Sequence, residues 1–152
     1  MNLRLSLFLL LISLSLTCSR SSNDREIRNL LNQMKAQAEA LDTNALCSHI
    51  SRHYQDRSEN NYFIVCNLLK RYLTGLDSLE AELNILEISV SEKQAKAELE
   101  LVVRANRGNN TYYILGSDRV PEYPVVWFNK ERGKWKIVRV EGISSGSEES
   151  WW

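Results

Sequence analysis

The stretch Gln94-Ala95-Lys96-Ala97-Glu98-Leu99-Glu100-Leu101-Val102-Val103-Arg104-Ala105 decides the fold. Ala95, Ala97, Leu99, Leu101, Val103 and Ala105 alternate with Gln94, Lys96, Glu98, Glu100 and Arg104. A period of two puts the apolar set on one face of a strand. One buried face and one wet face belong to an antiparallel sheet. Upstream, Leu79, Ala81, Leu83 and Ile85 keep the same period, and then Leu86, Ile88 and Val90 carry it on the opposite parity. Such a phase slip inside one strand predicts a β-bulge near Ile85-Leu86. Downstream, Asn106 to Asn110 (NRGNN) is a turn and TYYIL a third strand, while PVVWFNK and KWKIVRV flank Glu131-Arg132-Gly133 as a hairpin.

Before Leu79 the period is helical. Ile27, Leu30, Leu31, Met34, Ala38 and Leu41 form one apolar stripe, with Asn23 and Glu26 in capping-box register ahead of it. Asp42 or Thr43 caps a short second helix reaching about Ser51. A third helix carries Tyr62, Val65, Cys66, Leu69, Leu73 and Leu76 on one face, with Gly75 near its end as a left-handed cap. The expected fold is α+β: three N-terminal helices packed on a strongly curved antiparallel sheet.

Three strings carry a family likeness: LLNQMKAQAEALDTNALCSHIS, HYQDRSENNYFIVCNLLKRYL and WFNKERGKWKIVRVEGI. They resemble the NTF2-like, or cystatin-like cone, superfamily over residues 24–143. The resemblance implies a cone whose wide end holds a small molecule. It does not imply one activity, because members include enzymes, transport factors and domains of unknown role. It also implies that the domain can pair through its sheet, as a homodimer or with an envelope protein.

Residues 1–17 are read as a signal peptide. Arg4 gives a basic start, and Leu5 to Leu16 is an uncharged apolar run too short to span a bilayer as a helix. The run ends at Leu16-Thr17-Cys18-Ser19. This leader resembles those of bacterial lipoproteins, which are cut just before a cysteine that is then acylated with fatty chains such as palmitate. Here Leu14 stands four before Cys18, Ser15 three before and Thr17 directly before. Cys18 is then the lipid-anchor residue, residues 18–23 the anchor and tether, and residues 144–152 a polar tail ending in Trp151-Trp152. By the same resemblance, Ser19 after the cysteine places the protein at the outer membrane, held to the membrane by its lipid anchor. The alternative is cleavage by ordinary signal processing, giving a soluble periplasmic or secreted protein. Of the 152 residues, 43% are hydrophobic and 25% charged, a globular composition. Removal of Arg4 with the leader leaves eighteen basic residues against nineteen acidic, so no basic excess points to nucleic acid.

Glycine-rich phosphate loops, paired-histidine metal motifs and nucleophile elbows are absent from the sequence, and its cysteines and histidines have no zinc spacing, so neither cofactor nor metal is implied. Cys47 and Cys66 are either buried free thiols or a disulfide between helices two and three in an oxidising compartment. His53, Tyr54 and Asp56 form the one cluster suited to acid–base work, the alternative being a turn braced by its carboxylate. Cone isomerases and dehydratases use a carboxylate with His or Tyr for such chemistry. Ala97, Leu99, Leu101, Tyr112, Trp127 and Trp135 are the expected lining of the cone. They offer few polar groups, so the expected ligand is small and apolar, held without catalysis.

Overall fold

The computed structural model describes residues 22–143. The leader, Cys18, most of the tether and the tail with Trp151-Trp152 lie outside the described residues. Helix α1 covers residues 22–39, α2 Thr43–Ser48 and α3 Tyr62–Leu73. The strands follow: β1 Ser78–Ser91, β2 Gln94–Arg107, β3 Asn110–Leu115, β4 Val125–Glu131 and β5 Lys134–Glu141.

The stripe on α1 buries Ile27, Leu30 and Leu31, with Met34 and Ala38 packed behind them. Asn23 is not a cap: the helix already runs at residue 22, and Asn23 Oδ1 accepts a hydrogen bond from Lys130 Nζ (2.9 Å) instead. The far end of α1 is a Schellman turn. Leu41 N–H reaches Ala38 O (2.9 Å) and Asp42 N–H reaches Gln37 O (2.9 Å), with Leu41 at φ 56°. Asp42 then caps α2 by accepting from Ala45 N–H (2.9 Å). Asn61 caps α3 through Phe63 N–H (3.0 Å) and Ile64 N–H (3.1 Å). Cys47 of α2 and Cys66 of α3 are joined by a disulfide, their Cα atoms 5.7 Å apart.

The sheet is antiparallel, in the order β1-β2-β4-β5, with β3 also on β2. One edge of β2 pairs β1 along its length. Its other edge pairs β4 over Gln94–Glu98 and β3 over Val103–Arg107. Between these, Leu101 exchanges backbone hydrogen bonds with Glu122. Gly116, at φ 64°, permits that route, because a Cβ there would stand 3.0 Å from Val120 O. In β1 the register shifts between Ile85 and Glu87. Leu86, expected inside, is the extra residue and is turned out (56% exposed), while Ile88 and Val90 pack inward. Arg132 (φ 49°) and Gly133 (φ 80°) form the β4–β5 turn, the two positive φ values that a two-residue hairpin loop favours. The outer edge of β5 is covered by the chain after α2: Ile137 N–H bonds His49 O, and Ser51 N–H bonds Ile137 O.

Two apolar clusters fill the space between helices and sheet. The first joins Ile27, Leu30 and Leu31 to Ala95, Ala97, Leu99, Val126, Phe128, Trp135 and Ile137. The second joins Leu46, Leu73 and Leu76 to Leu79, Ala81, Val103 and Ala105. The alanines of β2 leave room that Phe128, Trp135 and the α1 side chains occupy.

Candidate functional site

Most of the expected cone lining is core. Ala97, Leu99 and Trp135 belong to the first cluster, and Leu101 and Tyr112 pack on the second. Trp127 is a correction. Val126 and Phe128 point into the core, so strand alternation turns Trp127 to the outer face of the sheet. There it stands opposite Lys96, whose neighbours Ala95 and Ala97 are the inward residues.

His53, Tyr54 and Asp56 are not assembled as a catalytic group. His53 is exposed, and its backbone N–H donates to Ser51 Oγ (3.0 Å). Tyr54 is buried, and its hydroxyl donates to Asp56 (3.2 Å). Asp56 also accepts from Ser58 N–H (2.9 Å), Asn60 N–H (3.0 Å) and the Asn60 amide (3.0 Å). These bonds brace the turn before α3. Burial, then the Asp56 charge, holds the Tyr54 phenol far above its usual range, so it stays protonated. The other histidine, His49, bonds Gln37 Oε1 (2.9 Å); burial, then the Lys136 ammonium, pushes its ring below the usual range and keeps it neutral. Among the described residues, no three His, Cys, Asp or Glu side chains gather as a metal site, and no helix is long and apolar enough to cross a membrane.

The feature that sequence reasoning missed is a shallow cleft of about 610 Å³ lined by Gln55, Ser89, Gln94, Lys96, Trp127 and Arg139, among others. Arg139 lies 4.5 Å from the Trp127 ring centre and Lys96 5.6 Å, both within cation–π range. The cations are partly balanced: Lys96 pairs with Glu98 (2.5 Å) and Arg139 with Glu141 (3.2 Å). Arg57 shares the Glu141 carboxylate (3.1 Å), so that one carboxylate faces two guanidinium groups. The Trp127 indole N–H is buried and makes no hydrogen bond among the described residues. An aromatic face, two cations and a rim of amides and hydroxyls can hold a molecule. They supply no group placed for proton transfer inside the cone.

No family model matches the chain, and no curated protein matches it either. Solved structures do. An NTF2-like protein with a cystatin-like fold from Novosphingobium aromaticivorans is similar with TM-score 0.63 at 19% identity, over 91% of this chain and 90% of that one. A protein provisionally called a scytalone dehydratase, from the same organism, gives TM-score 0.64 at 14% identity over 79% and 82%. A Bdellovibrio bacteriovorus protein gives TM-score 0.64 at 11% identity over 82% of this chain, which spans only 41% of that one. These likenesses show the fold, and the fold is the NTF2-like α+β cone. At such identities they carry no activity across.

Proposed function

We propose that the protein is a lipid-anchored binding module of the bacterial cell envelope, with Cys18 as its anchor and without enzymatic activity. The observation that carries this reading is the division of the sheet's two faces. The inward face is packed core, while the outward face holds a concave site around Trp127, flanked by Lys96 and Arg139. The cleft has the size of a small-molecule site. Its cations favour a ligand with an anionic group beside an apolar body, rather than the purely apolar ligand that an open cone would hold. Some fold neighbours are provisionally called dehydratases. In this chain the residues for such chemistry, Tyr54 and Asp56, are tied to each other and to a turn. The Cys47–Cys66 disulfide is at home in an oxidising envelope compartment, and the leader ending at Cys18 supports the anchor.

Metabolic labelling with a fatty acid tests the anchor. Wild-type protein should take the label and enter the detergent phase, because multiple acyl chains hold firmly where one holds marginally. Cys18→Ala should lose the label and either enter the aqueous phase or stay unprocessed. A wild-type protein that is unlabelled and water-soluble contradicts the anchor.

A further inference from the structure

The end of the domain nearest Cys18 carries a feature that neither the fold nor the cleft uses. Cys18 precedes Asn23 by five residues, so the first turn of α1 lies within roughly 18 Å of the anchor. The tip of the β4–β5 hairpin is fastened to that turn. Lys130 Nζ donates to Asn23 Oδ1 (2.9 Å) and pairs with Glu26 (2.9 Å). Lys130 N–H also bonds Lys93 O (2.8 Å), which brings the β1–β2 turn to the same place. Three segments distant in sequence thus meet at the anchored end.

The charges that remain exposed there are unequal. Glu26 is held by Lys130 and Asp24 pairs with Arg28 (2.7 Å), while Glu131 accepts a hydrogen bond from Ser51 Oγ (2.5 Å) and has no ion pair among the described residues. Arg25, Lys93, Arg132 and Lys134 are exposed and make no ion pair among the described residues. The acids beside them without an ion pair are Glu92, exposed, and Glu131, half-buried, so the four cations outnumber them by two. The chain as a whole is neutral, so this is a local excess and not a general basicity. Two of the four, Arg132 and Lys134, flank Gly133 at a turn that projects from the sheet.

We propose that this tip, Lys93 with Arg132 and Lys134, is a second membrane contact. It lies on the anionic lipid headgroups beside the anchor and sets the orientation of the domain, with the proposal resting on acylation at Cys18. An anchor alone leaves the domain free to tumble about its tether. Lysine and arginine near an anionic surface are each attracted within about a Debye length, ~10 Å at 0.1 M salt. The short tether, roughly 18 Å at full stretch, lets the tip reach that range. β5 runs away from the tip, so the end of the sheet near Ile143 and Tyr123 is held off the bilayer.

The test uses the mature acylated protein in vesicles of zwitterionic lipid, and in vesicles containing about a third anionic phosphatidylglycerol. Amine-reactive labelling read by mass spectrometry follows each lysine. Lys93 and Lys134 should label about fivefold more slowly on the anionic vesicles, roughly the effect of one basic residue at such a surface. Lys70, exposed on α3, should label equally on both. The difference should vanish in 1 M salt and in the Arg132→Glu/Lys134→Glu variant, read there at Lys93. Equal labelling of Lys93 and Lys134 on the two vesicle types, with the protein floating on both, overturns the hairpin contact alone. Failure of the protein to float with either vesicle overturns the anchor reading.

Discussion

Phe128→Ala should lower the unfolding free energy by about 3–5 kcal/mol. Phe128 is 1% exposed, at the centre of the cluster that ties α1 to β2, β4 and β5. Its neighbour across the sheet is Ala95, too small to refill the space. The loss is the ring's transfer free energy plus a cavity that Ile27, Leu30 and Trp135 cannot close without shifting backbone. Against a typical domain stability of about 5–15 kcal/mol, the variant approaches unfolding at growth temperature. Urea denaturation checks it: the midpoint should fall with little change in slope. Phe63→Ala, on a side chain 67% exposed, should stay within about 0.5 kcal/mol of wild type. A loss below about 1 kcal/mol for Phe128→Ala would mean that the cone is not packed, and an interior ligand site would regain its place.

Breaking the Cys47–Cys66 bond should cost about 3 kcal/mol. The bond closes a loop of sequence separation 19 that holds the polar segment from Ser51 to Asn61. Without it, the unfolded chain regains the entropy of that loop, and α2 loses its covalent tie to α3. Reductant should destabilise the wild type by this amount and leave the Cys47→Ala/Cys66→Ala variant unchanged. Protein isolated from cells without reductant should be lighter than its reduced form by the mass of two hydrogens. Two titratable thiols under denaturant would show instead that the cysteines are free.

What the sequence reveals of the fold follows from where its patterns are one-sided. β2 alternates cleanly because one face is wet, and the α1 stripe is legible for the same reason. The β1 bulge is legible as a parity change, but not which residue is expelled: Leu86 is as apolar as Ile85 and Ile88, and only the register with Leu99 and Glu98 turns it out. Val125-Val126-Trp127-Phe128 is apolar at every position, so its parity cannot be read along the chain. The pairing of Lys96 with Trp127, and of Ala97 with Val126, settles it, and a one-residue slip would exchange Trp127 with Phe128. The cleft was hidden for that reason, since its aromatic floor, Trp127, reads along the chain as cone lining. Asn23 illustrates another limit. Local capping preference is weak beside a lysine from 107 residues away that arrives with the hairpin.

The central claim is that the outer face around Trp127, and not the interior of the cone, engages the ligand. Hydroxyl-radical footprinting tests it most directly, comparing the protein in intact cell envelopes with the purified protein in vesicles of the same lipids. On this proposal Trp127 should be oxidised several-fold less in the envelope than in the vesicles, while Trp135, 5% exposed in the core, should be equally slow in both. Equal oxidation of Trp127 in the two preparations would contradict the claim.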